Sequence, residues 1–232
     1  FQRSAWRAYS NGNSGLVHSA TGTGKTLAVW MGPILKWLNE HPNREQWNRK
    51  SPAPLRVLWI TPLRALAADT ETSLRQPLES LGLPWRLESR TGDSKASLKA
   101  RQLRRLPTSL VTTPERLSLM LTHEKLLKQL SGLEGVIVDE WHELLGTKRG
   151  VQTELALARL RMLNPKLRIW GVSATLGNLG EAMESLVGPE RSGHARLIEG
   201  FKNRKLKLES IIPAKIERFP WSGHIGTKMV AQ

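Results

Sequence analysis

The sequence predicts an α/β domain, a mostly parallel sheet with helices on both faces. Three observations carry this. Short apolar runs of strand length alternate with longer stretches of helical periodicity. Several of these runs stop abruptly at polar residues, where the ligand-binding edge of a parallel sheet lies. A glycine-rich turn joins the first run to the first such helix.

Residues 16–18 (Leu16, Val17, His18) form the first predicted strand. Residues 26–38 follow as a helix, with Leu27, Trp30, Met31, Ile34, Leu35 and Leu38 at helical spacing. Residues 55–60 are a second buried strand closed by Thr61-Pro62, and 63–81 are helical. Residues 85–88 read as a strand, 94–106 as a very basic amphipathic helix, and 110–113 as a strand. Pro114 opens the next helix, where its missing N–H is no loss. Residues 133–138 are a strand, 151–163 a helix, 168–172 a strand ending in Ser173-Ala-Thr175, and 178–186 a last helix. Gly188-Pro189 and Ser192-Gly193 mark a boundary. The main domain is therefore set at 1–190, with 191–232 as a connector and the start of a second lobe. Residues 206–212 alternate like a strand.

Composition narrows the class. The chain has 232 residues, enough for one large domain, and no cysteine, so neither a disulfide nor a thiolate metal site is available. No apolar run approaches the ~20 residues of a membrane-spanning helix, and the chain suits a bacterial cytoplasm. The net charge of +15 (35 Lys and Arg against 20 Asp and Glu) favours a polyanionic partner. Basic residues concentrate between Arg86 and Arg116 and again between Arg196 and Arg218. Either stretch alone reads equally as a solvated face. The chain begins at Phe1 and is expected to come from a longer protein.

Ser19-Ala-Thr-Gly-Thr-Gly-Lys-Thr26 carries the clearest chemistry. Gly22 and Gly24 let backbone N–H groups approach phosphates with no Cβ in the way. Thr21 and Thr23 complete the loop, Lys25 places a charge at the β- and γ-phosphates, and Thr26 offers a hydroxyl to Mg²⁺. A strand before and a helix after put the phosphate on a helix N-terminus. The general phosphate-loop pattern wants glycine at 19, and Ser19 departs from it. Far downstream, Val136-Ile-Val-Asp-Glu-Trp-His142 is a strand ending in two carboxylates. Asp139 is placed to hold Mg²⁺, and Glu140 to orient and deprotonate a water. His142 is placed to link the γ-phosphate state to neighbouring segments. Trp141 either packs under the sheet edge or has a role of its own.

Seven strings stand in one order: Gln2, Ala20-Thr-Gly-Thr-Gly-Lys-Thr26, Thr61-Pro-Leu-Arg-Ala-Leu66, Thr91-Gly92, Thr112-Thr-Pro-Glu115, Asp139-Glu-Trp-His142 and Ser173-Ala-Thr175. This order resembles the first, RecA-like three-layer lobe of superfamily 2 DEXH-box helicases. Glu143-Leu-Leu-Gly, Lys148-Arg-Gly-Val-Gln152 and Phe219-Pro-Trp-Ser-Gly-His224 narrow the resemblance to the large helicase-related (Lhr) family and its ligase-associated bacterial branch. The resemblance implies ATP and Mg²⁺ as ligands, single-stranded DNA or an RNA–DNA hybrid as partner, and a second RecA-like lobe from the parent chain. It assigns Gln2 to the adenine edge, consistent with its spacing from Lys25 (25 − 2 = 23). It places Arg64, Thr91, Gly92, Thr113 and Glu115 on a single-strand track. Arg149 either joins that track or forms a surface ion pair, and Thr113 also reads as a plain helix cap. Ser173 and Thr175 match the segment that couples hydrolysis to lobe closure.

The expected function is an ATP-dependent helicase or translocase moving 3′ to 5′ on DNA, in DNA repair. An RNA-directed helicase and an ATP-switched clamp with little turnover are the rivals. Too few residues follow 190 for a second lobe, so the chain alone is expected to be nearly inactive.

Overall fold

The computed structural model describes residues 1–48 and 52–200. The order is α1 (Gln2–Ser10), β1 (Gly15–His18), α2 (Lys25–Glu40), a 3₁₀ turn (Arg44–Gln46), β2 (Val57–Ile60), α3 (Arg64–Ser80), β3 (Leu87–Arg90) and α4 (Ala96–Arg104). Next come β4 (Ser109–Thr112), α5 (Pro114–Leu121), α6 (Glu124–Leu130), β5 (Gly135–Val138), α7 (Trp141–Leu144) and α8 (Lys148–Leu163). The series ends with β6 (Arg168–Ser173), α9 (Leu179–Val187), α10 (Pro189–Ser192) and β7 (Arg196–Glu199).

The strands form one seven-stranded sheet in the order β3-β4-β2-β5-β6-β1-β7, and every pairing is parallel. Side chains alternate across the pleat, so a strand covered on both faces is apolar at every position. In β2, Val57 and Trp59 face α1, α2 and α3, with Tyr9, Trp30 and Leu74. Leu58 and Ile60 face the other way, into α5, α6, α8 and α9, with Leu117, Leu130, Leu157 and Leu186. These are the three layers that the alternation predicts.

The elements differ from expectation where burial lacks a sequence rhythm. The third strand sits two residues late, at Leu87–Arg90 rather than 85–88. Trp85 is buried by edge-on packing against Trp30 and Trp37 and not by strand pairing. Helix α8 starts earlier than 151, because the Thr147 hydroxyl accepts the Gly150 N–H and caps it. Helix α1 and the short helices α6, α7 and α10 are additional. Strand β7 is also additional. It is an edge strand whose only buried residue is Ile198. It pairs with β1, so the sheet continues past the boundary expected at 190. The expected strand at 206–212 and the Phe219–His224 segment lie outside the described residues. So does most of the second basic stretch.

Candidate nucleotide and strand site on the carboxyl edge

The parallel sheet brings all strand carboxyl ends to one edge. The β6–β1 part of that edge carries the phosphate loop. Gly22 and Gly24 hold φ of 75° and 85°, the left-handed region in which a Cβ is strained, and Gly24 caps α2. Ser19 stands where the general pattern has glycine. It is buried, and its hydroxyl lies 2.8 Å from that of Thr23, which donates to the Ala20 carbonyl at 2.7 Å. The Thr23 proton is thereby committed, so Ser19 is the donor between them. The Ser19 N–H donates to the Ser173 carbonyl at the end of β6 (3.1 Å), which fixes where the loop starts.

Lys25 opens α2 and is only 6% exposed. Its ammonium donates to the Ser19 carbonyl at 2.7 Å, using one of three protons. Burial lowers its pKa, opposed by the charges of Glu140 and Asp139. The lysine and both carboxylates thus share one field although more than a hundred residues separate them. Gln2 opens α1, and its amide nitrogen donates to the Gly24 carbonyl at 3.1 Å, so it borders the loop. Thr21 is exposed on the loop, and Thr26 sits in the first turn of α2.

The adjacent strand β5 ends at the carboxylate pair. Asp139 receives the Glu140 N–H on Oδ1 (3.0 Å) and the Trp59 indole N–H on Oδ2 (3.3 Å). Burial, then the neighbouring Glu140 charge, pushes its pKa up to about 6 against these donors and Lys25. A carboxylate whose charge burial disfavours gains from a cation, and carboxylate and hydroxyl oxygens such as those of Asp139 and Thr26 are the hard donors that Mg²⁺ prefers. Glu140 holds φ 43° and ψ 50°, the one non-glycine residue in the left-handed region among the described residues. Such strain costs about 1–3 kcal/mol and concentrates at functional sites. It turns the chain sharply from β5 into α7.

His142 Nδ1 lies 3.4 Å from Glu140 Oε2 and 3.2 Å from Ser173 Oγ. Ser173 therefore contacts the phosphate loop through its carbonyl and His142 through its hydroxyl. Thr175 is exposed two residues on. Trp141 is fully buried and donates to the Ala182 carbonyl on α9 at 2.7 Å, so it packs under the sheet edge.

The β3–β4–β2 part of the edge gathers the residues assigned to a strand track. Arg64 opens α3 with its guanidinium against Gly92, where an added Cβ would come within 2.9 Å of Nη1. The Thr91 N–H donates to Ser94 Oγ (2.9 Å). Thr113 caps α5 by position, though its side chain makes no capping hydrogen bond. Glu115 in the first turn of α5 meets Arg149 in the first turn of α8, with Nε to Oε1 at 2.5 Å and Nη2 to Oε2 at 3.5 Å. Burial opposes ionisation of Glu115. The Arg149 hydrogen bond and the residue's own backbone N–H outweigh it and hold the carboxyl below its ordinary range.

The helicase model described as DEAD/DEAH box helicase matches residues 1–182. The chain belongs to the DEAD/DEAH box helicases. It is 34% identical to the ATP-dependent helicase Lhr-Core of Methanocaldococcus jannaschii over 91% of this chain and 25% of that one. It is 38% identical to an Lhr helicase and probable uracil glycosylase of Mycolicibacterium smegmatis, over 81% of this chain and 13% of that one. The solved structure of Mycobacterium smegmatis helicase Lhr bound to ssDNA and AMP-PNP superposes with a TM-score of 0.68. It is 35% identical and covers 85% of this chain and 25% of that one. The chain spans a quarter or less of the curated Lhr relatives named here. The expected RecA-like fold and likeness to Lhr helicases are borne out.

Two contacts of this helicase domain escape a reading of the sequence. Lys99 on α4 donates to the Gly92 carbonyl at 2.8 Å, joining Arg64 at that loop. Trp59 reaches Asp139 across the sheet. A signal existed for the second. Trp59 pairs with Ile137, and Asp139 is two residues further on the same face. Among the described residues, no helix is long and apolar enough to cross a membrane.

Proposed function

We propose that this domain is the first motor lobe of an ATP-dependent DNA helicase or translocase. The observation that carries the proposal is the chain of contacts from Glu140 through His142 to Ser173, whose carbonyl holds the start of the phosphate loop, with Lys25 in the field of Asp139 and Glu140.

In this reading Gln2 takes the adenine edge, and the N–H groups of residues 21–24 receive the phosphates with Lys25. Thr26 and Asp139 hold Mg²⁺, which when bound neutralises charge developing on the phosphates. Glu140 orients the attacking water and accepts its proton on a carboxylate oxygen. His142 senses the state of Glu140 and passes it to Ser173, and Thr175 continues the connection toward a second lobe. Arg64, Thr91, Gly92, Thr113 and Arg149 take the sugar–phosphate backbone of a single strand through cations and N–H groups without reading bases. Glu115, on the same track, pairs with Arg149 and competes with the strand for it. Movement 3′ to 5′, action on DNA or RNA–DNA hybrids, a DNA repair role in the bacterial cytoplasm and membership of the ligase-associated branch belong to the same proposal, which the likeness to Lhr helicases supports. The parent's second RecA-like lobe supplies the other half of the site. Residues 1–232 alone should therefore turn over little ATP, since an arginine finger from a second lobe is typically worth ~10³–10⁵ in rate.

The test is ATP hydrolysis by the full-length protein with and without single-stranded DNA or RNA, beside Glu140→Gln. Strong stimulation by DNA that the substitution abolishes supports the reading. Stimulation by RNA alone moves the substrate. Intact strand binding with no stimulated turnover replaces the motor with a switch.

A further inference from the structure

Trp59 is not among the residues that any pattern in this sequence assigns to nucleotide chemistry. Yet, among the described residues, it is the side chain that hydrogen-bonds the Asp139 carboxylate, Nε1 to Oδ2 at 3.3 Å. We infer that Trp59 is a positioning residue for the metal-holding carboxylate, fixing the rotation of Asp139 and tying it to the phosphate-loop helix. This rests on the reading of Asp139 as a metal ligand.

Three features of the geometry support it. The two donors on Asp139 approach opposite oxygens, the Glu140 N–H on Oδ1 and the indole on Oδ2. Two donors on separate oxygens define the carboxylate plane, whereas either alone leaves it free to turn about Cβ–Cγ. The indole is itself immobile. Trp59 is 0% exposed, in the middle of the sheet, and meets Trp30 edge-on with ring centroids 6.2 Å apart. Trp30 is also fully buried and donates to the Leu74 carbonyl at 3.0 Å. Finally, Trp30 belongs to α2, the helix that Lys25 opens. Two indoles therefore connect the helix that Lys25 opens to the Asp139 carboxylate. A phenylalanine at 59 would keep most of the ring and lose the donor. A leucine would lose both, which explains why so large a residue suits a position where smaller apolar side chains would fill a strand equally well.

Outer partners of metal ligands typically contribute about 10–100-fold in metal affinity. The phosphates of the nucleotide supply much of the binding here, so the low end is expected, about 10-fold. Simple truncation does not serve as a test, since deleting a buried Trp destabilises the fold through lost burial and the cavity left behind. The informative replacement is 3-benzothienylalanine at position 59, which preserves the indole's shape with sulfur in place of N–H. Trp59→Phe and Asp139→Asn accompany it. The measurement is Mn²⁺ binding to the full-length protein with ADP, read by the free-ion electron paramagnetic resonance signal, with melting temperature as the folding control. We expect the benzothienyl protein to melt within a few degrees of wild type and to bind Mn²⁺ about 10-fold more weakly, nearer to Asp139→Asn than to wild type. Wild-type Mn²⁺ affinity in the benzothienyl protein overturns the inference. A loss in Trp59→Phe alone also overturns it, because shape and not the donor is then responsible. If Asp139→Asn itself binds Mn²⁺ normally, the fault lies in the reading of Asp139 as a ligand, a distinct result.

Discussion

The two ends of the carboxyl edge are built on different principles. At the β6–β1 end, Ser19, Lys25 and Ser173 are buried and spend their hydrogen bonds on one another. At the β3–β4–β2 end, Arg64 is exposed and Arg149 is part-exposed in an ion pair with Glu115. The first arrangement is preorganised. Its donors are fixed before a triphosphate arrives, which is what a phosphoryl-transfer site requires. The second is a set of adjustable cations near solvent, which suits a repeating backbone that must slide. Strand β5 lies between the two, and its Asp139-Glu140-Trp-His142 segment touches the buried end directly.

Changes at the buried end should therefore be large and insensitive to salt. Lys25→Ala should lower ATP hydrolysis by the full-length protein by about 10²–10³-fold, as losing one preorganised charge-stabilising donor does. Glu140→Gln should cost about 10²–10⁴-fold, the range for a lost general base. Steady-state kinetics at low and high salt check both, and a salt-dependent defect would break the comparison.

The next effect is on stability. Asp139 has a folded pKa of about 6 against an ordinary 3.8, so the folded state holds its proton more tightly than the unfolded chain. Stability is then fullest below about pH 4 and falls as pH rises through 6, by about 3 kcal/mol. In metal-free buffer Asp139→Asn, which does not titrate, should gain stability relative to wild type by about this amount between pH 4 and pH 7, whatever its offset from losing one acceptor oxygen. Urea titrations of both proteins at the two pH values measure this, and a wild-type-to-mutant difference that does not change with pH contradicts the burial argument.

The smallest effects belong to the exposed end. Arg149→Ala should change stability by no more than about 0.5 kcal/mol, since exposed ion pairs contribute little. It should weaken single-strand binding and reduce the slope of log affinity against log salt by about 1. Glu115→Gln should strengthen binding up to about 5-fold by releasing Arg149 from a pair worth at most ~1 kcal/mol. Fluorescence anisotropy across a salt series reads both. Opposite signs sharpen the assignment of Arg149 to the track, and matching losses would make the pair purely structural.

How much of this the sequence shows follows the same division. The phosphate loop is legible because its chemistry is local: two glycines, a lysine and a threonine within five residues, between a strand and a helix. The carboxylate pair is legible because an apolar strand stops there. The contacts that organise these residues are not legible in the same way. Trp59 and Asp139 are 80 residues apart, Glu115 and Arg149 34, and His142 and Ser173 31. Strand order decides these meetings, and a β-α alternation does not specify strand order. Strand β7 escapes for a related reason. An edge strand buries one face or less, and Ile198 alone leaves no pattern.

The role proposed for His142, between Glu140 and Ser173, is to carry the state of the nucleotide from the buried end to the rest of the motor. The direct measurement is single-strand-stimulated ATP hydrolysis by the full-length protein with His142→Ala, alongside strand binding. The account predicts strand affinity close to wild type, unstimulated hydrolysis changed only a few-fold, and stimulation by the strand largely lost. Wild-type stimulation in His142→Ala would contradict it.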